Sequence, residues 1–257
     1  MIREFEKKGF IIIRNLFNSK DFKYLKKSLR NYLNYHKISS KKNFDFDREL
    51  LKLRKNKTKF GIFFDSFQTL AIANNFLLDK KILKIISNIL KTSFENITFT
   101  DFSFRFDPPY DNRNSLGWHQ DSSYFRQNSN GRNGVVIWAP ITNLTKDMGP
   151  LEILSGSDKI GTLNVKKKNI KKKNYSSKRE ILKKDLKNLK RIFNYELKVG
   201  DAILMNLNMV HRSGVNFSNK FRISLQGRFH KMLSKDFNPG LNKYVYTNKD
   251  LNKKVHG

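Results

Sequence analysis

Apolar residues recur along the chain with two different periods, and the change falls near residue 96. Before it, steps of three and four dominate. Phe22, Leu25, Leu29, Tyr32 and Leu33 make one apolar face of a helix over residues 20–35, with Asn18 or Ser19 placed to cap it. Ile82, Ile85, Ile86 and Ile89 form a similar face inside a helical stretch over residues 66–92. The earlier run GFIIIRNLF, residues 9–17, reads as a short strand, and the basic, Asn-rich residues 37–59 read as loop with some helix. From Asn96 the period shortens to two. ITFTDFSFRF alternates as a strand does, and NGVVIWAPI, MGPLEILSGS, FNYELKVGD, AILMNLNMVHRSG and FRISLQGRFH read as further strands parted by turn residues. The pattern predicts a mainly β fold with flanking helices, in one domain over residues 1–257. A helical part covers about 18–92 and an antiparallel barrel or jelly roll about 96–232. A Lys-rich insertion, about 164–191, interrupts the strands.

Composition narrows the chemistry. Without cysteine there is no disulfide, no thiolate nucleophile and no Cys-held metal, so any ion must be bound by His and carboxylates. No apolar run reaches the 18 or more residues of a membrane span, and the charged start does not resemble a signal peptide, so a soluble cytoplasmic protein with no membrane partner is expected. The 52 basic and 22 acidic residues leave a net charge of +30. Two readings stand side by side. One is an anionic partner. The other is compositional: the chain is rich in Lys, Asn, Ile and Phe together, and its excess is mostly Lys rather than Arg, which argues against a phosphate-reading nucleic-acid surface.

His119-Gln120-Asp121 is the first feature with chemical content. On extended chain, residues two apart face the same side, so an imidazole and a carboxylate can meet one ion. Taken alone the spacing is weak and equally fits a surface histidine beside a solvated aspartate. His211 supplies a third ligand: it follows the apolar run AILMNLNMV, precedes Ser213-Gly214, and is expected at the end of a strand. Two histidines and one carboxylate are the facial set of non-haem iron(II) oxygenases, which leaves the opposite face of the ion open. Arg222 lies eleven residues further, in the apolar strand FRISLQGRF, where a charge needs a partner. Its guanidinium is suited to the distal carboxylate of 2-oxoglutarate, and Ser224 on the same face can add a hydroxyl. His36, His230 and His256 lack partners for a second metal site; His36 is expected in solvent and His230 facing outward.

The segments GWHQDSSYF, VVIWAPITNLTKDMGPLEILSGSDKIG and LKVGDAILMNLNMVHRSGVNFSNKFRISLQGRF strongly resemble the phytanoyl-CoA dioxygenase family, and the opening GFIIIRNLF followed by a helix fits as well. The resemblance spans roughly residues 9–229. It implies a double-stranded β-helix, the jelly-roll, cupin-like barrel, and a dioxygenase that uses Fe(II), 2-oxoglutarate and O2. His119, Asp121 and His211 match the metal positions and Arg222 the co-substrate anchor, while Arg105 lies where relatives carry a polar or basic residue near the co-substrate. Asp121 points to hydroxylation rather than halogenation, since related halogenases replace that carboxylate. Ser155-Gly156-Ser157-Asp158 departs from the Pro-Gly-Ser-His common in the family. Gln120 and Trp138 are candidate substrate contacts. The substrate is expected to be a small molecule, and an anionic one if Lys166–Lys168 and Lys171–Lys173 form a basic lid. Desaturation, cyclisation or epimerisation with the same cofactors, and a polyanion-binding module on a barrel scaffold, stay open as alternatives.

Overall fold

The computed structural model describes residues 1–36, 45–111, 116–125, 128, 130–167, 179–187, 189 and 192–238. Six helices come first: α1 (Ile2–Lys8), α2 (Ser19–Tyr35), α3 (Phe46–Lys55), α4 (Lys57–Gln68), α5 (Ala71–Leu77) and α6 (Lys80–Leu90), with strand β1 (Phe10–Ile13) between the first two. The remaining strands are β2 (Ile97–Asp107), β3 (Gly134–Pro140), β4 (Leu151–Leu154), β5 (Val165–Lys167), β6 (Arg179–Ile181), β7 (Ile192–Asn194), β8 (Ala202–Asn206), β9 (His211–Ser213) and β10 (Arg222–Lys231). A five-stranded antiparallel sheet runs in the order β1-β8-β3-β10-β2, and a three-stranded sheet in the order β7-β4-β9. β5 and β6 pair as a separate ribbon. This is the two-sheet form of a jelly roll, and hydrogen bonding does not close the described strands into one ring. No helix among the described residues is long and apolar enough to cross a membrane.

Strict alternation divides the large sheet. Val135, Ile137 and Ala139 of β3, Ala202 and Leu204 of β8, and Ile223, Leu225 and Phe229 of β10 face the helices and join one apolar cluster with Phe22, Leu50, Phe63 and Ile86. Val136, Trp138, Ile203 and Met205 face the opposite way and share a second cluster with Met148, Leu151 and Ile153 from the small sheet and its approach. β10 differs from its neighbours on this inner face. Arg222, Ser224, Gln226, Arg228 and His230 succeed one another there, and all but Gln226 are buried.

The structure revises several expectations. Helix α1 was not expected; it ends on Gly9 at φ 78°, a left-handed position that glycine adopts without strain. The predicted strand over residues 9–17 shrinks to β1 because Asn15 turns the chain at φ 52°. The helical stretch over 66–92 is three helices, with the Asp79 carboxylate capping α6 by accepting from the Lys81 N–H at 2.8 Å. FNYELKVGD supplies only the last two residues of the three-residue β7. AILMNLNMVHRSG breaks into β8 and β9. Asn206 turns the chain, its side chain accepting from Asn208 N and its carbonyl from Met209 N, each at 2.9 Å. His211 therefore begins a strand of the small sheet rather than ending one of the large sheet. The Lys-rich insertion is anchored at its base: Ile181 N donates to Trp118 O at 2.9 Å, beside His119. Lys168 and Lys171–Lys173 of the expected lid lie outside the described residues, as does His256.

Phe63 joins the helices to the sheet. Its fully buried ring lies 4.9 Å from that of Phe106 and 4.8 Å from that of Phe67. Phe63→Ala is expected to cost roughly 3–5 kcal/mol, from lost burial and the cavity left behind, read as a lowered urea midpoint.

Candidate metal centre

His119 and His211 stand opposite one another as an isolated antiparallel bridge, and each N–H donates to the other's carbonyl at 3.0 Å. This pairing puts the two imidazole rings 4.2 Å apart. Each Nδ1 meets a main-chain carbonyl two residues back, Gly117 O at 2.8 Å for His119 and Met209 O at 2.9 Å for His211. A carbonyl can only accept, so Nδ1 carries the hydrogen and Nε2 keeps its lone pair for an ion. Gln120 is extended, at φ −117° and ψ 137°, which brings Asp121 round to the same side. Asp121 Oδ1 lies 3.7 Å from Nε2 of each histidine. The three residues are 4–5% exposed, and one donor atom from each lies within 4.8 Å of the others.

Electrostatics ready the group for a cation. Burial, with His211 close by, pushes the His119 imidazole down to about 3, and burial lowers His211 too, so both rings are neutral. Burial works against the Asp121 charge, but the Arg228 guanidinium holds its carboxyl below the usual carboxylate range. Two neutral imidazoles and a carboxylate are a donor set that can bind iron.

A second buried cluster adjoins the first along β10 and β2. Arg222 pairs with Asp107 across the strands, donating from Nε at 3.2 Å and Nη2 at 3.0 Å to Oδ2. Its Nη1 faces the carbonyls of Met148 and Gly214, each at 3.0 Å, and of Gly149. Arg105 holds the other carboxylate oxygen, with Nη2 3.0 Å from Asp107 Oδ1. Burial opposes the Asp107 charge too, but the two guanidinium groups keep its carboxyl below the usual range. Ser224 sits opposite Arg105, is fully buried, and its hydroxyl has no protein partner.

A family model for phytanoyl-CoA dioxygenase (PhyH) matches residues 5–224. The chain belongs to the phytanoyl-CoA dioxygenase family. In sequence, no curated protein matches it. Among solved structures it is similar to EctD from S. alaskensis with 2-oxoglutarate and 5-hydroxyectoine: 13% identity, 96% of this chain and 80% of the other covered, TM-score 0.64. It is also similar to EvdO2 from Micromonospora carbonacea var. aurantiaca complexed with 2-oxoglutarate, at 15% identity, 96% of both chains and TM-score 0.61. A third is the epimerase SnoN in complex with Fe3+, alpha ketoglutarate and nogalamycin RO, at 10% identity, 93% of this chain, 86% of the other and TM-score 0.60. At these identities the likenesses establish the fold.

Within this phytanoyl-CoA dioxygenase fold, the other candidate residues fall unevenly around the centre. Arg105, Arg222 and Ser224 share the inner face with the triad. Gln120 is engaged by protein: its amide donates to Gly161 O at 2.7 Å and Asn208 O at 2.6 Å, and its Oε1 accepts from Leu163 N at 2.8 Å. The extended chain that turns Asp121 inward turns Gln120 outward, where it clamps three segments. Trp138 is 3% exposed and packs in the apolar cluster between the sheets. His36 is exposed, as expected. His230 is not on an outer face: it is fully buried on the inner side of β10, and neither ring nitrogen has a protein partner. Asp107, Arg228 and His230 escaped the sequence reading. The two-residue alternation in RISLQGRFH, carried past Ser224, would have found the last two.

Ser122 and Ser123, which follow Asp121, border a cavity of about 770 Å³ shared with Asn128, Thr162, Asn164 and Asp236. Among the described lining residues there is one carboxylate and no Lys or Arg.

Burial beside Arg228 pushes His230 from 6.5 down to about 4, so the unfolded chain binds a proton that the folded protein refuses. Stability therefore falls as pH drops from about 6.5 towards 4, and His119 and His211 act in the same direction. The melting temperature of metal-free protein is expected to fall from pH 7 to pH 5, and less steeply in His230→Leu; an unchanged slope would take His230 out of the account.

Proposed function

We propose that the protein is an Fe(II)- and 2-oxoglutarate-dependent oxygenase that hydroxylates a C–H bond of a small molecule. The observation that carries this is the convergence of two neutral Nε2 atoms and one carboxylate oxygen among buried residues. When bound, iron(II) with 2-oxoglutarate would supply oxidation of an unactivated C–H bond by dioxygen, with succinate and carbon dioxide released. His119, Asp121 and His211 would hold the metal. Arg105 and Arg222 flank Asp107 and leave the subsite one net positive charge, suited to a single carboxylate. The unpartnered Ser224 hydroxyl supports the same ligand. The surrounding apolar sheet excludes water, which strengthens each of these contacts.

Desaturation, cyclisation and epimerisation would call on the same residues, and one similar structure is that of an epimerase. An anionic substrate rests on the Lys-rich insertion alone. A polyanion-binding module would leave the buried triad and its paired arginines without a role.

The test is an anaerobic titration of metal-free protein with Fe(II) and then 2-oxoglutarate, watching for the visible charge-transfer band of the chelated co-substrate. His119→Ala should abolish the band. Arg222→Ala should raise the 2-oxoglutarate needed by on the order of 10–100-fold, since hydrogen bonds to charged groups contribute about 1.5–3 kcal/mol. Folded wild-type protein with no band would sink the oxygenase reading.

A further inference from the structure

Arg228 is the strongest feature of the inner face that the proposed function does not use. It lies on β10, six residues past Arg222, and is 7% exposed. Its Nε is 3.1 Å from Asp121 Oδ2, while the other oxygen, Oδ1, is the one turned to the two histidine Nε2 atoms. The two oxygens of this carboxylate thus have different partners before any ion arrives. We propose that Arg228 is a positioning residue that confines Asp121 to ligation of the metal through Oδ1 alone; the proposal rests on the iron-binding reading above.

Arg228 is itself fixed from several directions. Nη2 donates to Gln226 Oε1 at 2.8 Å, Nη1 lies 3.4 Å from Ser103 Oγ, and the guanidinium lies over the Phe125 ring at 4.1 Å. A group held this way cannot follow Asp121 if the carboxylate swings. For Oδ2 to reach the metal as well, Asp121 would have to give up a buried charge-assisted hydrogen bond and leave the guanidinium unpaired. That choice matters at an octahedral ion. Three single-atom protein ligands leave three positions open, and a chelating carboxylate would close one. A co-substrate that binds through two atoms needs positions kept free in this way. Sequence alternation shows the same design: the β10 face that carries Arg222 towards one carboxylate, Asp107, carries Arg228 towards the other, Asp121.

The experiment compares wild-type protein with Arg228→Met, which removes the donors at similar length, and Arg228→Lys, which keeps the charge without the guanidinium edge. Co(II) affinity is measured by calorimetry, and the Co(II)-induced infrared difference spectrum is recorded. The gap between the antisymmetric and symmetric carboxylate stretches is wide for one-oxygen ligation and narrow for chelation. Wild type is expected to show the wide gap. Arg228→Met should narrow it and weaken Co(II) binding by roughly 10–100-fold, the usual effect of losing a partner that orients a ligand. Arg228→Lys should shift both readouts in the same direction by less, and it carries the comparison if the Met variant does not fold. A folded variant with the wild-type gap and affinity overturns the proposal. Wild type that binds no Co(II), or binds it as well after His119→Ala, overturns the metal reading itself.

Discussion

Two backbone hydrogen bonds between His119 and His211, each 3.0 Å, are the constraint on which the site depends. They join a segment without regular structure to the first residue of β9 and set both side chains on one side of the pair. A slip of one residue would present Trp118 or Gln120 against Val210 or Arg212 and dissolve the donor set. The surroundings of the bridge defend its register. Gln120 ties its segment to Gly161, Leu163 and Asn208, and Val210 N donates to Ser157 Oγ at 2.8 Å. Asp121 then needs only one extended residue to reach the same side, so two neighbouring peptide segments supply all three donors.

The second constraint is the alternation of the large sheet. One face of β10 is apolar and packs on helices; the other carries Arg222, Ser224, Gln226, Arg228 and His230. Burying two arginines and two aspartates, with Arg105 half-buried beside them, is poor economy for stability alone, since ion pairs taken out of water return little more than their desolvation cost. Well-packed apolar residues would serve the fold at least as well, as β3 and β8 show on the same inner face. The charges are better understood as a prepared environment: each carboxylate is held ionised by a guanidinium, and each metal-facing imidazole is held neutral by burial.

Much of this was legible from the sequence because it rests on short-range periodicity. The change from three- and four-residue to two-residue steps marks where the sheets begin, and His-x-Asp, His211 and Arg222 declare themselves by type and spacing. Partners were harder to see. Asp107 meets Arg222 across 115 residues through strand register, and Arg228 meets Asp121 across 107 only in the folded chain. His230 looked peripheral because it closes a strand, yet even spacing from Arg222 fixes it on the inner face. The apolar run through His211 looked continuous because the Asn206 turn that carries the chain from one sheet to the other interrupts hydrogen bonding and leaves burial unchanged: residues 202–211 are all buried. Three helices over 66–92 looked like one for the same reason, since breaks at Thr69-Leu70 and Leu78-Asp79 leave the apolar face unbroken in the sequence.

The surplus charge of the chain stands apart from the site. Arg105, Arg222 and Arg228 are each engaged by Asp107 or Asp121, and among the described residues no lysine takes part in the hydrogen bonds around the triad. Among the described residues, the ion pairs that involve lysine, at Lys8, Lys52, Lys91 and Lys146, have lysine side chains 40–88% exposed. Charges in such positions are screened over about 8 Å at physiological ionic strength, so they can bias the approach of an anion without fixing it in the pocket. The groups fixed closest to the triad are buried ones, Ser224 and the Asp107-bound arginines. A chain can therefore gain or lose lysines through composition alone while the chemistry of its centre stays where the strand register puts it.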